Sequence, residues 1–93
     1  MGSVEEKDAL RWVFLVTVFD ATKGSPDESV AMDEIVGSLD ITREEAEDIL
    51  SYLRNEGLAE AKGLGGQIGV THAGRLAVED ARREPPPSKP VRF

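Results

Sequence analysis

The clearest alternation of apolar and polar residues lies between Ile41 and Gly57. Thr42 and Glu45 form a capping box, in which the hydroxyl accepts the Glu45 N–H and the carboxylate accepts the N–H of the cap residue. Gly57 suits the left-handed position that ends a helix. Four apolar residues in between recur at the spacing of one helical face: Ala46, Ile49, Leu50 and Leu53. The sequence therefore predicts a helix over residues 42–56 with a defined buried face.

A second, longer apolar block occupies residues 4–22. Acidic residues stand where its first helical turn would be, which favours a helix N-terminus through the macrodipole. From Trp12 to Phe19 the apolar residues are nearly continuous, a pattern that fits a buried strand or a buried helix. The length of the block, with no turn residue inside it, favours the helix.

This first helix offers a candidate interaction site. It is apolar most of the way round, and such a helix is either wrapped by its own domain or contacts a partner. A chain of 93 residues has little material for wrapping. Trp12, Val16 and Phe19 are therefore candidates for a surface that binds a protein partner or a second copy in a homodimer. The competing interpretation places all three in the core.

The rest of the chain predicts a short helix, a hairpin and a last helix. Met32 to Leu39 has the spacing of a short amphipathic helix, after a Pro- and Gly-containing loop over 23–29. Leu58 and the pair Ile68/Val70 alternate with period 2 around a glycine cluster, which is typical of a β-hairpin.

Thr71 is placed to cap the last helix, which would run from His72 to about Arg83. Gly74 is a poor helix former, so its presence indicates close packing against a neighbour. The inward face of this helix is predicted to consist of Ala73, Leu76, Ala77 and Ala81.

The proline-rich end of the chain is predicted to be separate from the domain. Residues 85–93 cannot continue a helix and suit an extended, polyproline-like linker or tail. We therefore expect one folded domain over residues 1–84, mainly α with a small β-hairpin.

Residues 32–79 resemble the winged helix-turn-helix domains of bacteria and archaea. The resemblance rests on the helix–turn–helix pattern, the "EGL" that ends its second helix, the glycine hairpin, and the I-x-V-T-x-x-G pattern from Ile68 to Gly74. The glycine hairpin, T-H-x-G and proline-rich linker also resemble a winged-helix module found at the N-termini of larger bacterial proteins. The resemblance implies a winged-helix fold, in which the 42–56 helix would lie in the DNA major groove and the 62–68 wing beside it. Fold alone does not fix the function.

Charge argues against tight DNA binding. The net charge is −7, and because all 18 acidic side chains lie at or before Glu84 while two of the 11 basic ones follow it, residues 1–84 carry −9. A field of this sign repels phosphate. The outward face of the 42–56 helix carries Glu44, Glu47 and Asp48, where a DNA-reading helix usually has basic or amide side chains. The phosphate contacts open to a DNA-binding regulator are Arg43, Arg54, Lys62 and Arg75.

Composition and motifs favour a binding module over an enzyme. The chain has no cysteine and a single histidine, His72, so neither a thiolate metal site nor a catalytic triad is expected. Ile68 stands where a G-x-G-x-x-G nucleotide loop would need its third glycine. We expect no cofactor, no catalytic residue, no metal and no membrane segment, and a cytoplasmic location. The leading hypothesis is a protein-interaction or self-association module that uses the first helix and the acidic face Glu44, Glu47 and Asp48. The alternative is a DNA-binding transcriptional regulator.

Overall fold

The computed structural model describes residues 4–63 and 65–83, with side chains between Asp8 and Arg82. This part of the chain is mainly helical, with a small three-stranded antiparallel sheet. Its elements in chain order are α1 (Val4–Ala21), β1 (Val30–Ala31), α2 (Met32–Leu39), α3 (Arg43–Asn55), β2 (Ala59–Lys62), β3 (Gln67–Val70) and α4 (His72–Arg83). The predicted tail over 85–93 and the wing residue Leu64 lie outside the described residues.

The sheet contains the predicted hairpin and one strand that the sequence pattern does not show. β2 and β3 pair antiparallel with Ala59 opposite Val70, which confirms the hairpin. β1 pairs with the other side of β3, with Val30 opposite Ile68, so the order is β1-β3-β2. A two-residue strand has no periodicity to detect, and its pairing partner lies far away in the sequence. The prediction of a hairpin alone was therefore incomplete.

α1 is a helix, and its apolar surface is divided between the core and solvent. Phe14, Leu15 and Val18 are fully buried, whereas Trp12 and Val13 are 40% and 43% exposed. The core joins α1 to every other described element. Its buried apolar members are Phe14, Leu15, Val18, Val30, Met32, Ile35, Ala46, Ile49, Leu50, Leu53, Ala59, Ile68, Val70 and Val78.

Both ends of α3 follow the sequence prediction. Thr42 Oγ1 accepts the Glu45 N–H at 3.0 Å, and the Glu45 carboxylate accepts the Thr42 N–H at 2.9 Å, which completes the capping box. At the other end, the Gly57 N–H donates to the Arg54 carbonyl and the Leu58 N–H donates to the Leu53 carbonyl. With Gly57 at φ +76°, these bonds form a Schellman motif. The four predicted apolar residues of α3 are all buried.

The capping box gives a direct stability prediction. Thr42→Ala removes the hydroxyl that satisfies the Glu45 N–H, so we expect the free energy of unfolding to fall by about 1 kcal/mol. Urea denaturation followed by circular dichroism measures the change. Ser51→Ala, on the exposed face of the same helix, is the matched control and should stay within about 0.5 kcal/mol of wild type. Equal losses in the two variants would contradict a role for the cap.

The predicted inward face of α4 was wrong. Val78 is fully buried and Gly74 is buried, whereas Leu76 is 44% exposed and Ala73 and Ala81 are also exposed. The cause is the close approach of Gly74 to the Leu58 carbonyl, because a β-carbon on Gly74 would lie only 2.0 Å from that oxygen. With Gly74 turned inward, Val78 follows one turn later and Leu76 points to the opposite side. Ala77 is half-buried. The predicted cap is confirmed, since the Gly74 N–H donates to Thr71 Oγ1 at 3.0 Å. The predicted close packing of Gly74 is confirmed by its approach to the Leu58 carbonyl.

The C-terminal ends of α1 and α4 are joined by a two-point ion pair. Arg82 donates to both carboxylate oxygens of Asp20, at 2.9 and 3.0 Å, and its guanidinium lies 5.5 Å from the centre of the Phe19 ring. The hydrogen bond to Asp20 raises the pKa of Arg82 above its ordinary value. These contacts hold α4 beside the C-terminal end of α1. The N-terminal half of α1 contacts α3 instead, where Arg11 stacks on Tyr52.

Candidate functional site

α1 and α3 enclose an open groove of about 480 Å³, called here the α1–α3 groove. Leu10 and the buried Ile49 supply apolar surface to it. Glu45, Asp48 and Asn55 supply polar side chains from α3. The described residues that line it are Leu10, Arg11, Glu45, Asp48, Ile49, Tyr52 and Asn55. The groove therefore combines apolar side chains from both helices with two carboxylates from α3.

A smaller cavity of about 200 Å³, called here the side cavity, shares two residues with the groove. Arg11 and Tyr52 line both, and the Arg11 guanidinium carbon lies 3.8 Å from the centre of the Tyr52 ring. Arg11 also donates to the Asp8 carboxylate at 3.1 Å. The lining is Asp8, Arg11, Trp12, Leu15, Tyr52, Leu53 and Leu58. The stacked pair of Arg11 and Tyr52 thus forms a common border of the two cavities.

Two large exposed aromatic side chains line the side cavity. Trp12 comes from α1 and Tyr52 from α3, and they line the side cavity together while remaining 40% and 37% exposed. Single exposed apolar residues are ordinary on protein surfaces. Two aromatic residues from different helices on one cavity form a larger apolar surface, which is typical of contact sites.

The three candidates on the first helix do not have equal access to solvent. Trp12 is exposed, but Val16 and Phe19 are half-buried and pack against the core. Phe19 is also covered by the Arg82 guanidinium. Of the predicted surface, Trp12 therefore offers the most free apolar area, and it does so next to α3.

The acidic face of α3 lies on the exposed side of the helix, as predicted. Glu44, Glu47 and Asp48 are all exposed, and Asp48 lines the α1–α3 groove. Glu47 forms an ion pair with Arg43, with Oε2 of Glu47 3.5 Å from Nε of Arg43. Within residues 8–63 and 65–82, Glu44 and Asp48 have no ion pair. No described residue therefore neutralises these two charges.

Three of the four candidate phosphate contacts already have acidic partners. Arg43 forms ion pairs with Asp33 and Glu47, and Arg75 Nε donates to Glu79 at 3.1 Å. Lys62 Nζ lies 3.5 Å from Glu60 Oε2 and also donates to the Pro26 carbonyl. Arg54 is exposed and has no ion pair with a described residue. Exposed ion pairs are weak and can rearrange. Even so, the charges of Arg43, Lys62 and Arg75 are each offset by a neighbouring carboxylate.

The described residues contain neither a metal-binding cluster nor a membrane-spanning helix. Among them, no group of three or more His, Asp or Glu side chains is arranged to hold a metal ion. His72 is exposed at the first position of α4. None of the described helices is long and apolar enough to cross a membrane.

Of the residues that line the groove, sequence reasoning gave only Asp48 as a site residue. It assigned Glu45 to the helix cap and Ile49 to the buried face, and it did not place Leu10, Arg11, Tyr52 or Asn55 in a site. The pairing of Arg11 with Tyr52 joins residues far apart in the chain, so no local pattern marks it. Tyr52 does stand beside the buried face of α3, between Leu50 and Leu53, without belonging to it. An aromatic residue in that position is a signal that could have identified a partly exposed contact site.

Comparison with protein-family models, with curated proteins and with solved structures gives no match for this chain. The residues around the α1–α3 groove are therefore the basis for a functional assignment.

Proposed function

We propose that this chain is a non-catalytic winged-helix module that binds another protein, and that the α1–α3 groove is its binding site. One observation carries the proposal: Leu10 of α1 and Asp48 of the acidic α3 face line the same groove, and Trp12 lines the side cavity that borders it. Trp12 and Tyr52 supply aromatic anchors of the kind that dominate binding energy at protein interfaces. Asp48 supplies a charge that selects the partner.

The element order supports a winged-helix arrangement. A helix, a short strand and two helices precede a β-hairpin and a last helix, and the first strand pairs with the hairpin in the order β1-β3-β2. This order agrees with the resemblance of residues 32–79 to winged helix-turn-helix domains. In such a module α3 occupies the position of the DNA-reading helix.

The surface of α3 favours a protein over DNA as the partner. The exposed carboxylates Glu44, Glu47 and Asp48 would face phosphates of like charge. The candidate cations Arg43, Lys62 and Arg75 already face carboxylates.

Comparative capture of partners tests this proposal. Immobilised wild-type protein is compared with Tyr52→Ser, which removes an aromatic wall of the groove, and with Leu76→Ser, the control. Leu76 is an exposed apolar residue of α4 that lines neither cavity. We expect at least one protein to be retained by wild type and Leu76→Ser and to be lost with Tyr52→Ser. Sedimentation of the purified chain over a range of concentrations shows whether a second copy is that protein.

A titration with duplex DNA tests the alternative function, DNA binding. Tight binding of duplex DNA at low salt that weakens steeply as salt rises, and that is lost in Arg43→Ala or Lys62→Ala, would replace the protein-binding function with a DNA-binding one. A capture profile that is identical for wild type and Tyr52→Ser would remove the groove as the binding site.

A further inference from the structure

We propose that the α1–α3 groove takes a basic amphipathic segment of a partner protein, with apolar side chains on one face and Lys or Arg beside them. The inference rests on the proposed function and specifies the chemistry of the partner. It follows from the apolar lining of the groove and from its negative charge, which disfavours both DNA and a second copy of this chain.

The apolar part of the groove fits an inserted side chain. Leu10 and Ile49 line it, and Tyr52 lines both the groove and the side cavity. A volume of about 480 Å³ is within the range of sites that accept small apolar groups. Amphipathic helices bind in such grooves through apolar anchors on one face. The flanking Trp12 extends the apolar contact along α1.

The charged part of the groove fits a cation. Glu45 and Asp48 line its wall, and Glu44 and Glu47 continue the negative surface along α3. The only basic side chain in the described lining is Arg11, whose charge is offset by Asp8 at 3.1 Å and covered by the Tyr52 ring. Since Asp48 has no ion pair with any described residue, an incoming Lys or Arg would give it one. The net charge of −9 on residues 1–84 also accelerates the approach of a basic segment.

The same charges disfavour a second copy as the occupant. A two-fold contact brings the same surface of both copies together. Asp48 and the neighbouring carboxylates of one copy would then face those of the other, with little basic surface between them. A basic partner has the complementary charge, and this distinguishes it from a homodimer and from DNA.

Synthetic peptides test the inference by fluorescence anisotropy. The probe is a labelled amphipathic Leu/Lys helix, and the comparisons are a Leu/Glu peptide with the same apolar positions and a Leu/Lys peptide with scrambled order. We expect saturable binding of the Leu/Lys helix, weakened about tenfold or more in both comparison peptides.

A charge-matched pair of variants separates local contact from long-range attraction. Asp48→Lys and Asp27→Lys change the net charge equally, but Asp27 is exposed in the loop after α1, outside both cavities. We expect Asp48→Lys to weaken binding of the Leu/Lys helix about tenfold more than Asp27→Lys. Equal effects of the two variants would overturn the inference, because they would show attraction by the overall field alone.

The failure of this inference is distinguishable from the failure of the proposed function. If the Leu/Glu or the scrambled peptide binds as well as the Leu/Lys helix, or if the Leu/Lys helix does not bind, the basic amphipathic partner is overturned. The proposed function is decided separately, by the loss of a captured protein in Tyr52→Ser and its retention in Leu76→Ser.

Discussion

Replacing Gly74 with alanine should reduce the free energy of unfolding by about 3 kcal/mol, near the upper range for an overpacked site. The added β-carbon would lie 2.0 Å from the Leu58 carbonyl oxygen and 2.8 Å from Val70 Cγ2. The first of these is a backbone atom, so no side-chain rotation removes the clash. The Leu58 carbonyl also accepts the Thr71 N–H at 3.1 Å, and this bond would move with it. A small domain with a total stability of about 5 kcal/mol would lose much of it.

Gly37→Ala is the matched control for Gly74→Ala. Gly37 lies within α2, and a β-carbon there meets nothing within 4 Å. Alanine at this position should therefore stabilise the protein by about 0.5–1 kcal/mol, since it loses less conformational entropy on folding. Urea denaturation measures both variants. Similar changes in the two would contradict the close contact between α4 and Leu58.

Phe14→Ala should have the largest effect of all the substitutions considered, a loss of about 3–5 kcal/mol in the free energy of unfolding. Phe14 lies on the inward face of α1 and is fully buried in the core. Removing its ring leaves a cavity that neighbouring helices and strands fill only in part. We expect the variant to be largely unfolded at room temperature, as observed by circular dichroism and by the loss of a cooperative urea transition.

Val13→Ala controls for the position within the same helix. Val13 directly precedes Phe14 but is 43% exposed. Its truncation should change the free energy of unfolding by no more than about 0.5 kcal/mol. A loss as large as that of Phe14→Ala would mean that Val13 is covered in solution, and concentration dependence of the loss would identify a second copy as the cover.

Local signals predicted the helices best where several of them agreed. α3 has a capping box, four apolar residues on one face and Gly57 as its stop, and the structure confirms each of them. The start of α4 was marked by the cap residue Thr71, but its apolar pattern did not define which face is buried. Alanines lie on several sides of this helix, and alanine is compatible with either a buried or an exposed face. The contact between Gly74 and Leu58 chose its rotation, and that contact joins residues from different parts of the chain.

The candidate site was predictable in its parts but not in its assembly. The exposure of Glu44, Glu47 and Asp48 follows from the helical period of α3 alone. The exposure of Trp12 beside the burial of Leu15 does not, since α1 is apolar on several faces and its sequence favours none of them. Packing against the sheet and α4 selected which face is buried.

The sequence by itself determined where the helices and the hairpin form, which side of α3 is acidic, and the negative field around the domain. These properties depend on residues within a few positions of one another, or on charge alone. Only the tertiary structure decided the pairing of β1 with β3, the rotation of α4, and the meeting of Arg11 with Tyr52 at the border of the α1–α3 groove. Each of these depends on contacts between distant segments, whose energies no local pattern records.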